Sequence, residues 1–259
     1  MELPPHLADE IGEFVDSFVT PIALVKPNDV RDPPGDHAAT GNFLLVSDQR
    51  YLLTCEHVAR LCSQGKLGYT PFGAGGGQTI PSKFISEPYK VDVAAAPLSP
   101  QNWNLQKHAA QCVTPAMFSS KHTPVDDEFL YVYGFPGSEA KTGFGEHFVQ
   151  GIGIFSHETD YNPILATESP MPIVGYHICL AYLPEYASVI QGGHSVLPLG
   201  PGLSGSLVWN TRYVEVTSRG MEWRPEHARI TALVWGHSQK AGVLIATPIE
   251  YIRSTMEIT

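Results

Sequence analysis

The chain has 259 residues, 43% of them hydrophobic and only 16% charged. It can therefore bury the core of one large or two modest domains, and disorder over most of its length is excluded. Its 16 basic and 26 acidic side chains give a formal charge of −10, which argues against nucleic acid and anionic membranes as partners. No segment approaches the run of about 20 apolar residues that spans a bilayer, and Met1-Glu2-Leu3-Pro4-Pro5-His6 lacks a basic-then-apolar leader pattern. A cytoplasmic location is expected. Cys55, Cys62, Cys112 and Cys179 form no CxxC pair and no metal-ligand spacing, so they read as reduced thiols.

In chain order, Leu7, Ile11, Val15 and Phe18 recur at close to helical spacing, which predicts a short amphipathic helix over 6–18. Thr20–Val25 reads as a strand and Lys26–Gly35 as a proline-rich turn. Asn42–Val46 and Tyr51–Thr54 are strands around a polar turn, and Cys55–Ala59 changes to a short helix carrying His57. The glycine run Gly73–Gly77 lacks the Lys-Ser/Thr ending of a phosphate loop and reads as a hairpin tip. Val91–Leu98 is small and apolar around one acid, Asp92, which is costly to bury unless it is paired. Periodicity fades over Leu105–Glu128, the candidate linker.

A second set of strands follows at Phe129–Gly137, Phe148–Phe155, Ile173–Tyr182, Leu207–Trp209, Tyr213–Val216, Ile230–Trp235 and Ala241–Ala246. Pro248–Met256 reads as a terminal helix with proline at its start. Two sets of short strands without long intervening helices predict an all-β fold of two antiparallel, six-stranded-type β-barrels. The expected division is an N-terminal helical extension over 1–18, a first barrel over 19–115, and a second barrel over 116–259 ending in a helix.

Leu199-Gly200-Pro201-Gly202-Leu203-Ser204-Gly205-Ser206 places a serine between glycines just before a strand. Such a loop can aim the amides of Gly202 and Ser204 at one point, as an oxyanion hole requires. A serine hydroxyl becomes a nucleophile only beside a base, and the base needs an orienting group.

Thr54-Cys55-Glu56-His57-Val58, Val91-Asp92-Val93-Ala94 and Pro201-Gly202-Leu203-Ser204-Gly205 occur in the order His, Asp, Ser. In order and setting they resemble the chymotrypsin-like (trypsin-fold) serine proteases, over roughly Phe18 to the C-terminus. Val132-Tyr133-Gly134-Phe135-Pro136 resembles a second-barrel strand of bacterial members. The resemblance implies Ser204 as nucleophile, His57 as general base and then acid, and Asp92 as the group that holds the imidazole. It also implies an oxyanion hole at Gly202 and Ser204, and no cofactor or metal. Val234, Trp235 and Gly236 would be the edge that binds substrate backbone, with His237, Ser238 and Gly242 at the primary pocket.

The chain departs from that family in informative places. Leu203 stands where secreted zymogen proteases carry an acid that orders the oxyanion loop by an ion pair after activation cleavage. The loop is therefore expected to be partly disordered or collapsed alone and to become set when an activating protein partner or substrate binds, with residues 6–18 as a docking or latching element. Pro198 replaces the acid of Lys/Arg-selecting members, so acidic, amide or apolar side chains are the expected preference. The implied function is a bacterial cytoplasmic serine endopeptidase cutting a protein or peptide substrate in a stress or antiviral (anti-phage) defence pathway. The alternative is a protease-fold binding or regulatory module with a gated or inactive triad. An α/β-hydrolase is disfavoured because the 55 residues after Ser204 contain no aspartate and no long helices are predicted. A cysteine-nucleophile variant is excluded because no cysteine lies in the glycine loop.

Overall fold

The structure, a computed structural model, describes residues 3–31, 34–80, 83–143, 146–165, 169–183, 188–189 and 197–256. The first sheet is built from β1 (Val19–Val25), β2 (Asp36–Val46), β3 (Gln49–Thr54), β4 (Lys66–Tyr69), β5 (Gln78–Thr79), β6 (Ile85–Glu87) and β7 (Val93–Leu98). Its seven strands pair antiparallel in the order β5-β4-β1-β2-β3-β7-β6. After β8 (Leu130–Gly134), β9 (Ala140–Gly143) and β10 (Glu146–Val149) form a separate hairpin. The chain continues through β11 (Ile152–Ser156), β12 (Ile178–Ala181), β13 (Ser188–Val189), β14 (Leu207–Asn210), β15 (Arg229–Ser238) and β16 (Val243–Pro248). The second sheet runs β12-β16-β15-β14-β8-β11-β13. The fold is thus all-β, two curled antiparallel sheets with short helices, as the strand pattern predicts. No described helix is long and apolar enough to cross a membrane.

The strands of the second sheet read as almost continuous apolar runs because both faces are covered. Along β8, β14 and β15, Val132, Val208, Ala232 and Val234 fill the interior of the second barrel with Leu244. The alternate residues Tyr131, Leu207, Trp209, Leu233 and Trp235 join the core shared with the first sheet. This is the two-residue period of a strand buried on both sides.

Helix α1 (Pro5–Asp16) starts on a proline at its first position, where no intrahelical N–H is needed. It buries Leu7, Ile11 and Val15 in the shared core. Phe14 packs edge-on against Phe18 and Trp209. It is a clasp on the core. The 105–128 stretch likewise lies along the sheets: Val113 N–H donates to Phe43 O at 2.8 Å, and Ser119 N–H to Ile230 O at 2.9 Å.

One element differs in type. Tyr213–Val216 alternates like a strand but opens helix α4 (Tyr213–Ser218), the fourth after α1, α2 (Glu56–Ala59) and α3 (Pro100–Trp103); α5 (Ile249–Thr255) closes the chain. The cause is Glu128, whose buried carboxylate accepts from Val214 N and Glu215 N at 3.1 Å each and from Thr211 Oγ1 at 3.0 Å. A charge-assisted cap at a helix N-terminus outweighs local strand propensity.

If α1 is part of the core, Ile11→Ala should lower the unfolding free energy by about 2–5 kcal/mol, the usual cost of deleting a buried isoleucine side chain. A denaturant midpoint unchanged from wild type would place α1 outside the cooperative unit.

Candidate active site

His57 lies in the first turn of α2, immediately after β3. The residue before the helix, Cys55, caps nothing with its side chain, so the first amides of α2 need outside acceptors. Asp92 supplies one. It sits just before β7 in the left-handed region at φ 53°, a conformation aspartate tolerates better than most residues. Its Oδ1 accepts from His57 N at 3.0 Å, and its Oδ2 accepts from His57 Nδ1 at 2.7 Å. The second bond fixes the tautomer: with the proton on Nδ1, Nε2 carries a lone pair. Asp92 is 5% exposed, while the His57 side chain is 37% exposed and faces outward.

Cys55 Sγ lies within 4.8 Å of the ligand atoms of His57 and Asp92. Its thiol donates to Val234 O at 3.2 Å, and burial pushes its pKa well up, away from the thiolate a metal requires. The 2.7 Å contact between Nδ1 and Oδ2 is a hydrogen bond filled by a proton, with no space between the two atoms for an ion.

The serine loop is held on every side. Leu203 is 0% exposed and plugs the second barrel among Val132, Val208 and Val234. Gly202 and Gly205 have φ of 100° and 92°. At Gly202 a Cβ would meet the backbone of Gly137 and Phe135 at 2.6 Å; at Gly205 it would lie 2.0 Å from Thr40 O. Only glycine fits either position. Pro201 O accepts from Gly137 N at 2.8 Å, Leu203 O from Ser206 N at 3.0 Å, and Gly205 N–H donates to Val234 O at 2.8 Å. Among the described residues, the amide N–H groups of Gly202 and Ser204 have no partner. They are the free donors that a developing oxyanion would take up. In the structure the loop is ordered. Glycine geometry and apolar packing of Leu203 order it without an ion pair.

Sequence reading missed the first-barrel groups that complete this restraint. Thr40 N–H donates to Ser204 O at 2.9 Å, Thr40 Oγ1 to Gly202 O at 2.9 Å, and Asn42 Nδ2 to Gly205 O at 2.6 Å. His37 Nε2 donates to Phe135 O at 2.5 Å, beside Gly202. The polar stretch Asp36–Thr40 gives no alternation, and only its pairing with β1 shows it to be strand.

Ser204 Oγ donates to Trp235 O at 3.2 Å and makes no hydrogen bond to His57. Of the expected substrate edge, Val234 is the most deeply buried. It is 1% exposed, its N–H donates to Ser206 O and its carbonyl is taken, so it backs the site. Further along β15, Gly236, His237 and Ser238 pair with β16, beyond the last β14 partner. The His237 ring lies against Gly200 and edge-on to Tyr182, whose hydroxyl donates to Pro198 O. Ser238 Oγ accepts from Ala241 N and is fully buried, so it serves the turn and not a pocket. Gly242, at φ 64° in that turn, packs against Leu183 and accepts from Tyr182 N.

Two barrels with a histidine–carboxylate pair on one and a glycine-flanked serine with free amides on the other define a trypsin-like architecture. Among solved structures, the chain is similar to the active form of the Rv3671c protease from M. tuberculosis. The TM-score is 0.52 at 12% identity, over 99% of this chain and 87% of that one. At that identity the likeness speaks for the fold. No protein-family model and no curated protein matches the sequence.

Two imidazoles flank the site, and both have pKa values lowered by desolvation: half-buried His37, and buried His177, whose Nδ1 accepts from Ile173 N while Nε2 donates to Lys90 O. Each binds its proton less readily folded than unfolded, where the value is about 6.5. Stability should therefore be fully present above about pH 6.5 and fall as pH drops towards the lowered folded values, before carboxylates titrate. Denaturant unfolding at pH 7.5 and 5.5 measures this, and His177→Gln should flatten the slope. A slope the substitution leaves untouched would exclude His177 as its source.

Proposed function

We propose that the chain is a serine endopeptidase with Ser204 as nucleophile. The observation that carries the reading is the 2.7 Å bond from His57 Nδ1 to Asp92, which leaves Nε2 as an available base. In the proposed reaction, Nε2 takes the Ser204 proton as Oγ bonds to the substrate carbonyl carbon. The resulting oxyanion accepts from the amides of Gly202 and Ser204. The C–N bond then breaks as His57 returns the proton to the leaving amine, and water repeats the sequence on the acyl-enzyme. Substrate backbone would pair along Trp235–Ser238. A primary pocket bordered by His237 and lacking an acid at Pro198 would favour acidic, amide or apolar side chains over Lys and Arg. Leu203 and the first barrel hold the loop in the structure, which supports a site that is ready for substrate without an activating partner. The substrate we propose is a protein or peptide, cut inside the cell.

A second reading, a protease-fold binding module, draws on the Ser204 hydroxyl being turned to Trp235 O. A fluorophosphonate probe separates the two. Labelling of Ser204 that Ser204→Ala abolishes is the expected result, and an unlabelled, folded chain would favour the module. In the same assay series, Asp92→Asn should lower turnover by about 10⁴-fold with the fold retained, since the imidazole loses its tautomer and support. Activity within about tenfold of wild type would remove Asp92 from the reaction.

A further inference from the structure

Thr40, in β2, is fully buried and has every polar group engaged. Its N–H donates to Ser204 O and its carbonyl accepts from Thr54 Oγ1, each at 2.9 Å. Its hydroxyl has two partners: it donates to Gly202 O at 2.9 Å and accepts from Phe135 N at 2.9 Å.

Those two partners flank the Gly202 amide. An amide N–H points opposite the carbonyl of the residue before it, because the two share one planar peptide. The Gly202 N–H is thus aimed by where Pro201 O goes, and Pro201 O is held by Gly137 N at 2.8 Å. The peptide on the other side of Gly202 is held by Thr40 Oγ1 at Gly202 O. Thr40 Oγ1 also anchors Phe135, which begins the short segment that ends in Gly137. One hydroxyl therefore restrains both peptides around a glycine whose φ of 100° is otherwise free to relax.

We propose that Thr40 is a positioning residue of the first barrel that aims the Gly202 N–H at the oxyanion; this rests on the serine-peptidase reading above. Thr40 touches neither substrate nor reacting atoms. Its effect falls on the transition state, where the oxyanion exists, and not on ground-state binding along Trp235–Ser238. Valine has the shape of threonine without the hydroxyl, and would leave Gly202 O and Phe135 N unpaired.

The test is steady-state kinetics on peptide substrate, with active sites counted by fluorophosphonate titration so that only folded, reactive molecules are compared. Thr40→Val should lower kcat about ten- to a hundredfold with KM little changed; deleting an oxyanion donor outright typically costs about 10²–10³-fold. Thr40→Ser should restore most of the loss. A peptidyl boronate, which places an oxygen at the oxyanion position, should lose affinity in parallel with kcat. Should Thr40→Val fail to fold, Thr40→Cys puts a weaker donor in the same space and should show a smaller loss of the same kind. Thr40→Val with wild-type kcat and only a lower melting temperature would overturn the proposal, as would Thr40→Ser as impaired as Thr40→Val. Wild-type protein that fails to label at Ser204 would instead overturn the peptidase reading, and this one with it.

Discussion

The Asp92 carboxylate is the group on which the site depends. A carboxylate 5% exposed is tolerable only with close partners, and leaving such a charge unpaired costs about 3–5 kcal/mol. Both of its oxygens go to His57, one to the backbone and one to the ring. The first bond meets the unsatisfied start of α2, and the second sets the imidazole. A single side chain thereby caps the start of a helix, fixes a tautomer and pins the ring to the backbone that carries it. The turn that delivers Asp92 is itself tied to the second barrel, because Thr247 Oγ1 donates to Val91 O at 2.9 Å.

That tie is one of several across the seam. Cys55, Thr40 and Asn42 of the first barrel donate to carbonyls of Val234, Gly202, Ser204 and Gly205 in the second. Loop carbonyls that would otherwise be buried without partners are satisfied by the opposite barrel, so the loop reaches its shape only when the barrels meet. Apolar packing then locks it from behind. Ser206 fits at the crossing because Gly134 faces it; a Cβ there would sit 2.1 Å from Ser206 Oγ.

Most of the framework was legible in the chain. Alternating apolar residues gave most of the strands, and the buried, positive-φ glycines around Ser204 were visible as a pattern. The pairing of His57 with Asp92 was legible through a single acid inside an apolar segment. What stayed hidden depended on contacts far apart in sequence. Tyr213–Val216 carries the alternation of a strand, and only the distant Glu128 makes it a helix. Asp36–Thr40 is small and polar, and becomes strand by pairing with β1. Val234 looked like an accessible edge residue, yet its own N–H and carbonyl pair with the serine loop.

The replacement of an acid by Leu203 changes how readiness can be controlled. An ion pair to a chain terminus can be made or broken by cleavage, protonation or salt. A leucine buried at 0% among valines responds to none of these, because apolar burial is neither screened nor titrated. With the loop set by packing, the remaining freedom at the site is the direction of one hydroxyl. Ser204 Oγ is engaged with Trp235 O in a neutral hydrogen bond of 3.2 Å, the kind worth about 0.5–1.5 kcal/mol net. An incoming carbonyl that takes the two free amides can offset that much without remodelling the backbone. In the proposed peptidase, then, substrate arrival itself is sufficient to bring the serine into play, and selectivity falls to the strand edge and to the pocket beside His237.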